Sequence, residues 1–199
     1  MERQVMSAIL DKDGVPRIGD WIQTFSGGQV FPLDPDRNTY KIIDIAAALS
    51  KLTRYNGHCL RFYSVAEHCV LLAREATKPV YGLCNSERDL RTVLMHDASE
   101  AYLIDVPRPI KGLLTNYAEI EHDLMVSISK RFNFDWPAPA WVKDLDNNIL
   151  NDEMDQIMAP PPAPWRHGGY RLGVKLQCWS PDQAFIEFMR AGIEFGVPA

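Results

Sequence analysis

The sequence predicts a single, predominantly helical domain with a short N-terminal arm or hairpin, and three observations carry that reading. From Lys41 onward apolar residues recur at helical spacing, so one face of each segment can be buried while the other stays wet. Two helix starts are marked by a hydroxyl with an acid or amide three residues later, at Ser64/Glu67 and Ser180/Gln183, the second with Pro181 in the first helical position. At 199 residues and 46% apolar content the chain can bury one good core, and its length favours one domain over two.

Residues 1–40 are rich in Gly, Pro and Asp, with Gly27-Gly28 and Pro32 to Asp36 as turn signals around the short apolar runs Trp21-Ile22 and Val30-Phe31. Asp44 to Leu49 reads as a short helix that ends before Arg54. Ser64 opens the next, with His68 just inside it and Val65, Leu71 and Leu72 as neighbours on the core-facing stripe. A helix over Asp89–Ala101 places His96 and Glu100 four apart on one face. Two prolines, Pro107 and Pro109, follow it. Tyr117–Phe132 is predicted helical with Ile120, Leu124 and Ile128 buried, and Trp141–Met158 is the next helix. Ala159–Pro164 is a stiff proline-rich stretch, Trp165–Trp179 a Gly-containing loop or hairpin, and a last helix stops at Gly196.

Charge and cysteine content limit the function classes. A net charge of −5 without a long Lys/Arg run argues against tracking a nucleic-acid polymer. Cys59, Cys69, Cys84 and Cys178 show no Cys-x-x-Cys pair, so reduced thiols are expected. No run of about 20 apolar residues occurs, which predicts a soluble, cytoplasmic protein without a membrane partner.

The chemistry lies in His68, the adjacent pair His96-Asp97, and one more acid. Imidazole nitrogens and carboxylate oxygens together suit a borderline divalent cation, and three or four such ligands leave positions for water and substrate. On the wheel of the helix from Trp141, Asp146 falls within about 60° of Val142, Ile149, Leu150 and Ile157, while Asp144 and Asp155 fall opposite and Asp152 at the edge. A carboxylate inside an apolar stripe is costly unless it is paired or coordinates a cation. Glu153 shares that face and remains an alternative for the partnered acid.

With these residues in hand, the sequence resembles the HD-domain phosphohydrolase superfamily, whose ligand order is His, His-Asp, then a distant Asp. The segments Trp21-Ile22, Pro32 to Pro35, Ile43 to Ser50, Arg54 to His58, Arg61 to His68 and Asp105 to Lys111 are similar to the short phage and bacterial proteins of the 5′-deoxynucleotidase group, which includes phage dATP triphosphohydrolases. The resemblance covers roughly residues 20–158; the tail from Pro160 departs from it. It implies an all-α helical bundle and a divalent cation (Zn, Co, Mn or Mg) held by His68, His96, Asp97 and Asp146. It implies Glu100 as the residue that orients or deprotonates water, Arg54 and Tyr55 as the phosphate-binding pair, and Asp105 as the contact to the sugar hydroxyls that selects deoxyribose. It also implies a homo-oligomer.

On that basis the expected reaction is hydrolysis of a deoxynucleotide at the α-phosphorus, with dATP or dAMP favoured, giving deoxynucleoside plus phosphate or triphosphate. His58 and Lys111 would add positive charge along a polyphosphate, and Trp21, Phe25 and Tyr55 are candidates for an aromatic base slot. A phosphodiesterase or signalling-nucleotide hydrolase of the same superfamily, or a non-catalytic nucleotide sensor, are the competing readings. His122 and His167 lie outside the pattern and are expected on the surface.

Overall fold

The computed structural model describes residues 9–80, 82, 86–166 and 169–199. Two small antiparallel hairpins come first, β1 (Ile9–Leu10) with β2 (Pro16–Arg17) and β3 (Ile22–Gln23) with β4 (Gln29–Val30). The hairpin alternative predicted for the arm is therefore the one realised, twice. The arm is tied down by polar side chains. Arg17, nearly buried, donates to Asp34 at 2.7 Å, and Asn38 brackets Phe31 by accepting its N–H and donating to its carbonyl. Asp44, buried in the first helix, accepts the Ser26 backbone N–H at 2.7 Å and its hydroxyl at 3.1 Å.

The remainder is mainly helical: α1 (Ile42–Leu49), α2 (Val65–Ala76), α3 (Glu87–Leu94), α4 (Glu100–Leu103), α5 (Arg108–Lys111), α6 (Tyr117–Phe132), α7 (Ala140–Ile157) and α8 (Pro181–Glu194). Helix α2 is central, packing against α1, α3, α7 and α8. Its Val65, Ala66, Cys69, Val70, Leu72 and Ala73 are fully buried. Each large apolar side chain so buried contributes about 1.5–3 kcal/mol. Leu124 and Ile128 of α6 are buried as their spacing predicts, whereas Ile120, expected with them, is only half-buried near the start of the helix. Helix α5 tolerates Pro109 because it stands in the first turn, where its missing N–H has no helical partner to lose.

Two expectations need correction. The predicted helix over Asp89–Ala101 is two helices, because the Ala98, Glu100 and Ala101 N–H groups bond three residues back, to Met95, Asp97 and Ala98. The tightened turn interrupts the helical path between α3 and α4. The second correction concerns both capping boxes, which are half made: Ser64 and Ser180 accept from Glu67 N–H and Gln183 N–H, but neither long side chain returns to its cap. The Glu67 carboxylate instead accepts the backbone N–H groups of Gln177, Cys178 and Trp179 at 2.7–2.8 Å. Of the loop or hairpin expected over Trp165–Trp179, the described residues from Gly169 on take the loop form.

That segment is held to the bundle by a polar stripe on α7. Asn148 accepts the Tyr170 N–H, Asp152 accepts those of Leu172 and Gly173, and Gln156 both donates to the Val174 carbonyl and accepts from Leu176 N–H. Residues 148, 152 and 156 repeat every fourth position, so one helix face presents a ladder of acceptors to an extended chain. Gly169 is required at its end: with φ at +130°, an added Cβ would collide with the Asn148 side chain. Helix α8 then returns, burying Ala184, Phe188 and Ala191. Cys59, Cys69 and Cys178 are free thiols; Cys84 and His167 lie outside the described residues. His122 is exposed and accepts the Trp136 indole N–H at 3.3 Å. No helix among the described residues is long and apolar enough to cross a membrane.

Candidate metal centre

Three elements bring His68, His96, Asp97 and Asp146 together. His68 stands one turn into α2, at zero exposure. His96 and Asp97 occupy the tightened turn between α3 and α4. On a regular helix adjacent residues diverge by about 100° and cannot face one target. In this turn His96 Nε2 and Asp97 Oδ2 come within 3.2 Å. Asp146, from the middle of α7, places Oδ1 3.2 Å from His68 Nε2, and Asp97 Oδ2 lies 3.9 Å from the same nitrogen. One donor atom each from His68, His96 and Asp146 fall within 4.8 Å of one another.

The tautomers follow from the partners. His68 Nδ1 lies 2.7 Å from Glu153 Oε1 and His96 Nδ1 lies 2.7 Å from the Val93 carbonyl, both of which accept. In the neutral rings, Nε2 therefore carries the lone pair. Both Nε2 atoms are buried and have no hydrogen-bond partner. Orphaned buried acceptors are costly unless something is meant to bind them. Two imidazole lone pairs and two carboxylates fit a divalent cation. Cys69 does not compete for that role. Its Sγ lies 4.0 Å from His96 Nδ1, the nitrogen already committed to Val93, and burial pushes its thiol up to about 11.

Glu153 resolves the alternative left open on α7. It is fully buried behind His68 rather than among the candidate ligands, accepting from His68 Nδ1, from Tyr63 OH at 3.0 Å and from Tyr55 OH. A carboxylate behind a ligating histidine fixes the ring and raises its basicity. Burial disfavours the Glu153 charge, but Arg54 and His68 outweigh this and hold its carboxyl below the ordinary range. Arg54, 8% exposed, sits between Glu153 (Nη2 at 3.4 Å) and Asp97 (Nη1 at 3.7 Å), and its Nε has no partner. Those distances are loose, so the guanidinium retains donors for an anion.

Burial alone would lower His96, but the adjacent Asp97 carboxylate overrides it and raises His96 well above its usual value. The same pairing draws Asp97 below the carboxylate range, and His68 and Lys143 do so for Asp146, against the effect of burial in both cases. Glu100 shows the reverse. Burial, then repulsion from Asp97 and Asp105, raises it well above the ordinary value, and its Oε2 is buried without a partner.

Above the four residues opens a cleft of about 1180 Å³, lined by Arg54, Tyr55, Asp97, Glu100, Asp105, Lys111 and Asp146 among the sequence-predicted residues. Arg108, Lys143, Asn147, Trp165 and Arg166 also line it. His58 and Trp21 do not join them. His58 is exposed at the end of the Arg54–Gly57 turn, and Trp21 lies on the N-terminal arm. Sequence spacing could not distinguish which face of a turn, or which side of the arm, meets the cleft. Phe25 lines a separate 240 Å³ pocket with Asp44, Lys51 and Tyr102. Tyr55 reaches the cleft through a left-handed backbone, φ 56° and ψ 29°, which costs about 1–2 kcal/mol in a non-glycine residue. Its hydrogen bond to buried Glu153 holds it there.

Over 133 residues the chain is 37% identical to the uncharacterized protein YfdR of Escherichia coli (strain K12), a match covering 67% of this chain and 70% of that protein. The chain belongs to the YfdR family. A second relative, an uncharacterized protein of Rhodobacter capsulatus, is 32% identical over 126 residues, or 62% of this chain. The chain spans 63% of that relative's length. No family model matches the chain.

Proposed function

We propose that this member of the YfdR family is a divalent-metal-dependent phosphohydrolase of the HD type that cleaves deoxynucleotides at the α-phosphorus, with dATP and dAMP favoured. The observation that carries the reading is the pair of buried, unpartnered Nε2 atoms of His68 and His96 facing two carboxylates at the floor of a substrate-sized cleft. His68, His96, Asp97 and Asp146 would hold the cation. When bound, it would polarise a phosphoryl oxygen and lower the pKa of a water molecule.

The other groups divide the remaining work. Glu100, first residue of α4 and adjacent to the cluster, would orient water and accept its proton; an acid raised by burial takes a proton readily. Arg54 would fork onto phosphate oxygens. Lys111 is held by Glu121 at 2.7 Å and stands with Arg108, Lys143 and Arg166 along the same cleft. Five cationic side chains on the walls of a cleft in a chain of net charge −5 favour an anionic substrate. Asp105 would contact the sugar hydroxyls. The cluster and cleft are built within one chain, and homo-oligomer formation remains part of the proposal on resemblance alone.

The test uses metal-stripped protein given Mn²⁺, Co²⁺, Zn²⁺ or Mg²⁺ with a panel of deoxy- and ribonucleotide mono- and triphosphates, products being resolved by chromatography. The expected result is deoxynucleoside with phosphate or intact triphosphate. Release from cyclic or dinucleotide substrates alone would favour a phosphodiesterase, and nucleotide binding without turnover a sensor.

A further inference from the structure

Among the described residues lining the cleft, the aromatic side chains are Tyr55 and Trp165. Tyr55 is committed to the cluster: its hydroxyl is bound by Glu153, and the Arg54 guanidinium carbon stands 5.5 Å from its ring centroid. Trp165 lies beyond it, 5.7 Å between ring centroids and tilted by 50°. Such spacing leaves no room for a third ring between them, so the two rings form one stepped wall. Arg54, Tyr55 and Trp165 thus form a succession that leads away from the metal ligands. A nucleotide lies the same way, with a phosphate at the cation and a flat heterocycle at the far end. Small-molecule sites typically measure about 300–1,000 Å³, and a cleft of about 1180 Å³ exceeds what a phosphate and sugar alone would fill.

We propose that Trp165 is the surface on which the substrate's heterocyclic base stacks, so that the C-terminal segment, rather than the N-terminal arm, supplies the base subsite. The inference rests on reading the cleft as a nucleotide site. Arg166 beside it lines the same cleft and adds a cation to this wall. Trp165 packs on Tyr55, whose hydroxyl is fixed by Glu153 of α7, the helix that also carries Asp146. Stacking tolerates any base because every base has a π-face. Trp165 therefore governs affinity for nucleotides over base-less phosphates, not the choice of base.

The test is calorimetric binding of dAMP and of 2-deoxyribose 5-phosphate to the full chain with Mn²⁺, in a Glu100→Gln background so that ligand is not consumed. dAMP is expected to bind about tenfold or more tighter than the sugar phosphate. Trp165→Ala and Trp165→Leu should collapse that ratio toward one, and Trp165→Phe should keep most of it, with thermal melting confirming that each variant is folded. If the ratio is unchanged in the Ala and Leu variants, or both ligands weaken equally, the stacking role is overturned while the phosphohydrolase reading stands. Failure of both ligands to bind the parent protein would overturn the nucleotide reading and this inference with it.

Discussion

Replacing Glu153 with Ala is expected to destabilise the protein by about 3–5 kcal/mol, the loss seen when one partner of a buried charge pair is removed. Glu153 has no exposed surface and is the shared acceptor for His68, Tyr55, Tyr63 and Arg54. Its loss leaves the buried guanidinium with Asp97, at 3.7 Å, as its remaining ion pair among the described residues and strips the hydrogen bond that orients His68. For a chain of this size the loss corresponds to a fall in Tm of roughly 6–20 °C. Glu153→Gln separates the two roles. It retains an acceptor for His68 but removes the charge, and metal affinity should fall about 10–100-fold. A melting temperature unchanged by the Ala substitution would show that Glu153 is not the counter-charge of this cluster.

Glu100→Gln is expected to lower kcat by about 10²–10⁴-fold, the usual worth of a positioned acid or base. Gln occupies the same volume and keeps hydrogen-bonding capacity, so metal content should be unaffected. The pH profile provides a second readout. A base must be ionised to work, and because burial, then Asp97 and Asp105, raises Glu100, activity should climb with pH at values above the ordinary carboxylate range. That acid limb should disappear in the Gln variant. Undiminished turnover by Glu100→Gln would remove the proposed proton acceptor and leave Asp97 and Asp105 to be tried in its place.

Much of the helical layout was legible because its cause is local. The spacing of Leu124 and Ile128 set α6, and the apolar stripe around Asp146 set both α7 and the inward direction of that carboxylate. The break between α3 and α4 was not legible. Met95 to Ser99 contain neither Gly nor Pro, the apolar periodicity runs on through them, and the tightening to three-residue hydrogen bonds is imposed by packing. Glu67 carries a helix-start signal, yet its carboxylate serves a segment more than a hundred residues away. Non-local pairings of this kind leave no trace in a short window.

The stripe Asn148, Asp152 and Gln156 did leave a signal, three hydrogen-bonding side chains repeating every fourth residue along one flank of the apolar stripe. Ordinarily such a face is solvated, and only the extended segment that lies on it gives it a purpose. Trp165 was obscure for the same reason. In a proline-rich tail a single aromatic has no periodicity to read, and the arm with Trp21 and Phe25 offered a more conspicuous candidate.

The central claim, that His68, His96, Asp97 and Asp146 share one divalent cation, is tested most directly by anomalous diffraction from crystals grown with Co²⁺. The account predicts one strong peak per chain within ligand distance of both Nε2 atoms and of a carboxylate oxygen from each acid. A peak elsewhere with these four side chains unengaged, or no peak at saturating Co²⁺, would contradict it.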